Sequence, residues 1–319
     1  VTGYHTMRFT DGAKWWLFWS PPHRACGTSL LYRRAWWEHN RFPAKQVGED
    51  VDFVATANAG GESFPTPVAA ARVAAGGPAP VLVVNGYERM DRWMDVAACD
   101  TPTSANCPNA RIRPAQMNDQ SYVVQHAAAI TLPLDSAMRA AIDDGDVTLG
   151  VYDIVDWIAG QEQTPAPVPN GTNLVALTQA ERNALAAFLN DGHALFISGA
   201  EVAFDLATNL NAPSFLNNTL RAQFANDDAN TFAAAATASG ILAGMGSFNF
   251  DDGTHGSYRV DFPDMLTPTS GAVATLNYVG GTGGAAAIQY ANGCQRLVYF
   301  GFPFETLYPG FGIHAEVFN

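Results

Sequence analysis

Ser198 is the residue whose local pattern best suits it to act as a nucleophile. It ends the apolar run Ala194-Leu-Phe-Ile-Ser198 and is followed by Gly199 and a helix-forming stretch from Glu201 to Ala207. A serine at such a strand-to-helix elbow presents its hydroxyl, and the next helix aims backbone N–H groups at a developing oxyanion. The flanks depart from Gly-x-Ser-x-Gly, since residue 196 is phenylalanine and residue 200 is alanine. A base for Ser198 has to come from His126, His193 or His255. Of these, His255 in the loop Asp251-Asp-Gly-Thr-His-Gly256 is the one expected to reach a cleft. Glu201, Asp205 and Glu305 fall at strand ends or one turn beyond, where a carboxylate can hold a sugar hydroxyl or a cation. The competing readings are that Glu201 caps its helix dipole, that Glu305 anchors a backbone turn and that Asp205 is structural. Asp251 and Asp252 can ligate calcium, but Asp-Gly is a common turn former, and a turn is the expectation. A second acidic pair, Glu49-Asp50, follows Gly48 and could supply the base that deprotonates an acceptor hydroxyl. No metal and no cofactor is expected.

The composition changes near Asp50 to Phe53. Residues 1–52 hold five of the seven tryptophans, both lysines (Lys14 and Lys45) and seven basic against five acidic residues. The rest of the chain has ten arginines, no lysine and 25 acidic residues in an Ala- and Gly-rich background. That acidity argues against nucleic acid or an anionic membrane surface as partner, since both need clustered Lys and Arg. With 319 residues, 48% of them hydrophobic, the chain can fill a substantial core, and no apolar run is long enough for a membrane span. The first residue is Val1, so the missing signal peptide carries little weight. Cys99 and Cys107 bracket a short polar loop that a disulfide can close in an oxidising compartment, with two free thiols as the alternative, whereas Cys26 and Cys294 lack such a neighbour.

Positioning these residues requires a sheet. Val81-Leu-Val-Val-Asn85, after the linker Gly76-Gly-Pro-Ala-Pro80, is a continuous apolar strand. It implies cover on both faces and a parallel sheet with its site at the carboxyl ends of the strands. A helix is expected near Asn118 to Ile130, followed by the segment Tyr152-Asp-Ile-Val-Asp-Trp-Ile-Ala-Gly160. Thr178-Gln-Ala-Glu181 is a capping box opening an amphipathic helix to Leu189, ended by Gly192 and followed by the strand that carries Ser198. Later strands are expected at Tyr258 to Phe262, Ala272 to Tyr278, Ala285 to Tyr290 and Arg296 to Phe300. The reading is an α/β fold with a doubly wound, mostly parallel sheet.

Three resemblances add to this. Cys26-Gly-Thr-Ser-Leu-Leu-Tyr-Arg-Arg with Gly48-Glu-Asp50 resembles the distal part of a family 2 glycosyltransferase. It implies a Tyr-Arg-Arg helix and an acceptor base at Asp50 supported by Glu49, in a fragment that lacks the donor half. Phe53-Val-Ala-Thr-Ala-Asn-Ala-Gly-Gly-Glu-Ser63 with Phe64 to Val73 reads as a hairpin and is similar to the last two strands of a fibronectin type III domain. The motifs Val84-Asn-Gly-Tyr-Glu-Arg, Tyr152-Asp-Ile-Val-Asp-Trp-Ile, Ile197-Ser-Gly-Ala-Glu-Val-Ala-Phe-Asp-Leu206, Phe250-Asp-Asp-Gly-Thr and Gly301-Phe-Pro-Phe-Glu-Thr together resemble one group. It is the C-terminal α/β domain of golvesin-like and xanthan-lyase-like secreted bacterial proteins.

That resemblance implies a class I glutamine amidotransferase-like (flavodoxin-like) fold over 76–319, preceded by the glycosyltransferase-like fragment 1–52 and the fibronectin-like hairpin 53–75, whose join reads as a chimeric gene or as a sequence assembled from two genes. Cysteine is absent from position 198, which excludes ordinary glutamine hydrolysis. The group implies an extracellular or envelope setting, other domains of a longer parent protein, and polysaccharide or peptidoglycan as partner. The expected role is glycan binding or architecture, with Ser198, His255, Glu201 and Glu305 as the residues of an alternative hydrolase.

Overall fold

The computed structural model describes residues 67–73, 78–90, 118, 120–164 and 174–307, and the strand pairing of three short segments before them. Those segments, β1 (Gly3–Arg8), β2 (Lys14–Trp19) and β3 (Leu31–Arg33), form an antiparallel sheet of order β1-β2-β3. Tyr32 and Arg33, expected to open a helix, are therefore strand residues, registered against Trp16 and Trp15. Aromatic residues favour extended backbone, and that preference outweighs the helical reading. Glu49, Asp50, Cys26, Cys99, Cys107 and most of the expected hairpin lie outside the described residues. Among the described residues no helix is long and apolar enough to cross a membrane.

The main body is one sheet of 11 strands. In chain order come β4 (Val81–Asn85), helix α1 (Val123–Ala129), β5 (Leu134–Met138), α2 (Arg139–Asp143), β6 (Ile154–Gly160), α3 (Gln179–Asn190), β7 (Ala194–Gly199), α4 (Val202–Phe204) and α5 (Pro213–Asn218). The strands β8 (Ala222–Asn226), β9 (Ala233–Ala236), β10 (Ser247–Asn249), β11 (Met265–Pro268), β12 (Val273–Tyr278), β13 (Ala285–Asn292) and β14 (Gln295–Phe300) follow. The sheet runs β10-β9-β12-β13-β14-β7-β6-β4-β5, with β11 joining β13 to β8. The pairings β5-β4, β4-β6, β6-β7 and β7-β14 are parallel, and the others are antiparallel. The sheet is thus mixed rather than mostly parallel. The reason lies in chain length: β12, β13 and β14 are joined by turns too short for a crossover, so they can pair only as hairpins.

The parallel block shows why its strands read as continuous apolar runs. Leu82 and Val84 of β4 enter a core with Val155 and Trp157 of β6 and Leu185, Phe188 and Leu189 of α3. The alternate residues Val81 and Val83 enter a second core with Val123 and Ala127 of α1 and with Ile158. Helices therefore cover both faces, as a right-handed crossover demands when the chain first moves outward to β5 and then back through β6 to β7. Val68 and Ala70 are also buried, Ala70 in the second core, and Arg72 bridges to Leu134. Residues 67–73 thus pack against the α/β unit.

Local signals account for several boundaries. The Thr178 hydroxyl accepts from the Glu181 N–H (3.1 Å), and the Glu181 carboxylate accepts from the Thr178 N–H (2.6 Å), as the capping box requires. The helix expected from Glu201 to Ala207 forms three residues of α-helix and then widens into π-helix over Asp205–Asn209. The strand expected from Tyr258 to Phe262 does not form. Its alternation is real, with Tyr258 and Val260 buried, but Phe262 has a positive φ of 51° that no strand contains. Replacing Thr178 by Ala should lower unfolding stability by about 1 kcal/mol in a urea titration, with the slope unchanged.

Candidate functional site

The carboxyl ends of β4, β6 and β7 lie side by side, and the residues just beyond them are tied together by acidic side chains. Gly160 ends β6 with a φ of 53°, and a Cβ there would collide with the Tyr87 ring, so glycine alone allows the β4 and β6 loops to approach. Glu162 is fully buried, and its Oε2 accepts from the N–H groups of Glu88 and Arg89, both at 2.7 Å. Burial pushes its carboxyl up to about 7, against the pull of Arg139. The Arg89 guanidinium donates to the Gln161 carbonyl at 3.0 Å. The Gln161 amide donates to the Arg259 carbonyl (3.0 Å) and accepts from the Asp261 N–H (2.7 Å), which brings the 257–262 loop onto the same edge.

Beneath this edge sits a buried ion pair. Arg139 donates from Nε to Glu181 Oε1 (2.8 Å) and from Nη2 to Oε2 (2.6 Å), while Nη1 donates to the carbonyls of Gly86 (3.1 Å) and Val175 (2.9 Å). One guanidinium thus joins the end of β4, the loop before α3 and the capping box of α3.

Glu201 stands out among the candidates. It occupies the cap position of α4 but makes no capping hydrogen bond. Asp264 takes that role: its Oδ2 accepts from the Ala203 N–H at 2.7 Å and shares the Phe204 N–H at 3.3 Å. Glu201 is 2% exposed and forms no side-chain hydrogen bond among the described residues. Burial first, then the charge of Asp227, push its carboxyl up to about 8, with Arg89 pulling the other way. At neutral pH Glu201 is a neutral acid, able both to donate and to accept. Asp264 is likewise held well above the usual carboxylate range by burial and by Glu201. Asp205 is structural, accepting from Thr164 N–H (3.0 Å), Ala176 N–H (2.8 Å) and the Asn209 amide (2.8 Å).

The other expected residues do not converge. Ser198 is completely buried, and its Oγ has no hydrogen-bond partner, so no histidine touches it. It extends the alternation that turns Phe196 into the core, which is why the elbow does not present it. His255 lies in the loop after β10 with its Nδ1 3.2 Å from Asp252 and 3.0 Å from the Thr254 hydroxyl, and its side chain is 44% exposed. Asp251, Asp252 and His255 present ligand atoms within 4.8 Å of one another. Asp251 is committed to the turn, accepting from the N–H groups of Gly253 (2.7 Å), His255 (3.0 Å) and Ser257 (2.7 Å). His193 stacks on Phe188.

Glu305 belongs to a network on the α1 face. His126 Nδ1 is 2.8 Å from Asp156 Oδ2, its Nε2 is 3.3 Å from Glu305 Oε2, and the Tyr258 hydroxyl donates to Glu305 Oε1 at 2.6 Å. Burial alone would lower the imidazole, but Asp156 and then Glu305 outweigh it and hold His126 at about 9. Burial raises Asp156 while His126 draws it back down. The pairing of His126 with Asp156 and Glu305 spans 30 and 179 residues, so no local pattern announces it.

No protein-family model and no curated protein matches the chain. Solved structures with partial likeness include the exo-β-1,4-mannosidase Op5Man5 from Opitutaceae bacterium strain TAV5, with 12% identity, a TM-score of 0.41, 72% of this chain and 32% of that one. A β-galactosidase from Bacillus circulans sp. alkalophilus shows 14% identity, a TM-score of 0.42, 75% of this chain and 30% of that one. The carbohydrate deacetylase Agd3 shows 12% identity, a TM-score of 0.38, 69% of this chain and 28% of that one. The chain spans about a third or less of the length of these proteins.

The His126 network should show in stability. His126 titrates at about 9 when folded against 6.5 when free, so its contribution is complete below pH 6.5 and is lost as pH rises through about 9. His126→Ala should cost about 3–5 kcal/mol, because two buried carboxyl groups lose their cation. Ser198→Ala should leave the urea midpoint unchanged or slightly raised, since the hydroxyl it removes has no partner.

Proposed function

We propose that the α/β unit is the glycan-binding domain of a secreted or envelope protein. In this reading it is a doubly wound domain, with its ligand seated over the carboxyl ends of β4, β6 and β7. The strand order β5-β4-β6-β7-β14 reverses direction between β4 and β6, the position where ligands sit in open α/β sheets. The observation that carries the reading is Glu201: a nearly buried carboxyl group at this edge, relieved of helix capping by Asp264 and neutral at pH 7.

The charges around Glu201 select the ligand class. Asp227, Asp205 and Asp261 surround it electrostatically, with Arg89 as the counterweight. Such a field repels phosphates and carboxylates, although sheets of this order commonly hold phosphorylated ligands. A neutral polyhydroxyl compound meets carboxylates that accept from its hydroxyls and a carboxylic acid that can do both. Polysaccharide or the glycan strand of peptidoglycan has that chemistry. Hydrolysis through Ser198 and His255 is not part of this reading, because the serine hydroxyl touches no base.

Calorimetric titration of the full chain with cellohexaose, β-1,4-mannohexaose and the β-1,4-linked hexamer of N-acetylglucosamine tests it, with inorganic phosphate as control. At least one hexasaccharide should bind and phosphate should not. Glu201→Ala should weaken binding about tenfold, whereas Glu201→Gln should retain it. Affinity of the wild type should fall as pH rises through about 8, where Glu201 ionises, and stay flat in the Gln variant. If phosphate binds or every hexasaccharide fails, the reading is wrong.

A further inference from the structure

Phe262 is an aromatic residue held in a conformation that its side chain disfavours, and no hydrophobic core holds it there. Its φ is 51°. Left-handed backbone suits glycine and asparagine, and a bulky residue adopts it only when the surrounding structure imposes it. Among the described residues the other non-glycine positions at positive φ are Gln120, Asn211, Arg221, Asn230 and Ser270, all polar. Phe262 is 50% exposed and belongs to none of the hydrophobic cores. The fold therefore bears local strain at this position and gains little apolar burial from it.

The imposing contacts are identifiable. On one side, Gln161 at the end of β6 grips the chain through the Arg259 carbonyl and the Asp261 N–H. On the other side, the Pro263 carbonyl accepts from the Ala229 N–H (3.1 Å). The Asp264 N–H donates to the carbonyls of Ala200 beyond β7 (3.1 Å) and Gly301 beyond β14 (2.8 Å). Phe262 is thus suspended between anchors at the carboxyl ends of β6, β7 and β14. It lies one residue from Asp261 and two from Asp264, the residue that frees Glu201 from capping.

We infer that Phe262 is the stacking platform of the carbohydrate site, offering its ring to the C–H face of one sugar unit while the carboxyl groups at the strand ends take the hydroxyls along its edge. This deepens the glycan-binding reading and rests on it. The chemistry is complementary. A pyranose ring has an apolar C–H face and a polar rim, and a half-exposed aromatic residue one position from Asp261, in a loop anchored at the strand ends, offers a partner for both. Strain that the fold does not need is retained at the position where a ligand would use the ring.

The test separates binding from folding. Titrations with the same three hexasaccharides are carried out on the wild type and on Phe262→Ala, Phe262→Trp and Phe262→Gly, with thermal midpoints measured for each. Phe262→Ala should weaken binding of the recognised hexasaccharide about tenfold, and Phe262→Trp should preserve it. Phe262→Gly should bind as weakly as the Ala variant yet melt above the wild type, because glycine adopts the left-handed backbone without cost. Unchanged binding by Phe262→Ala beside a binding wild type overturns the stacking role alone. A Phe262→Gly protein that melts below the wild type also overturns it, showing that the ring stabilises the fold. A wild type that binds no hexasaccharide removes the glycan reading and this inference together.

Discussion

The bidentate pair between Arg139 and Glu181 is the interaction on which the carboxyl edge of the sheet depends. It is nearly water-free, and its guanidinium also serves the carbonyls of Gly86 and Val175. Residues 53–319 hold 25 acidic side chains against ten arginines, so a cation buried here is a scarce resource. Nε and Nη2 secure the first turn of α3 through Glu181, and Nη1 alone secures both the β4 exit and the loop before α3. Losing the cation would strand the Glu181 carboxylate in an apolar surrounding, where an uncompensated charge costs several kcal/mol. The capping box alone could not hold α3 in register against β4 and β6, because its two hydrogen bonds stay within the helix.

The acidic residues around this edge fall into three conditions, and the differences among them define the site. Asp205, Asp264 and Glu162 accept from backbone N–H groups, and so act as fasteners between loops. Glu181, Asp156 and Glu305 face a cationic partner. Among the described residues Glu201 has no backbone donor and no ion-paired cation, only the more distant charge of Arg89, and burial answers by keeping its proton on. A carboxyl group without structural employment at the end of a parallel strand is the feature on which the proposed glycan site rests. The same accounting explains why Ser198 is silent: its face of β7 is inside the core.

How much of this was legible depended on the range of each interaction. The capping box Thr178/Glu181, the apolar strand at Val81 and the strand carrying Ser198 are local patterns, and the fold keeps them. The helix near residue 123 and the strands beginning at 273, 285 and 295 are also where periodicity puts them. Glu201 was visible as a candidate, but its release from capping was not, because Asp264 lies some sixty residues away. His126 was visible only as a possible base for Ser198, since its partners reside on β6 and after β14. Tyr258 to Phe262 misled because alternation of buried residues arises in an anchored loop as readily as in a strand when alternate carbonyls and amides are gripped from outside.

The mixed character of the sheet bears on how the chain reaches this state. β12, β13 and β14 are neighbours in sequence as well as in space, so their ladders close short loops and can form early. The contact of β14 with β7 joins segments separated by roughly a hundred residues, and its loop entropy must be met before the parallel block is complete. Until then β7 is a bare apolar edge, Leu195-Phe-Ile197, open to pairing with any other chain. The meander serves in this sense as a built-in lid on the parallel block's exposed edge, so a nascent chain stopped short of residue 295 would be the form most prone to aggregate.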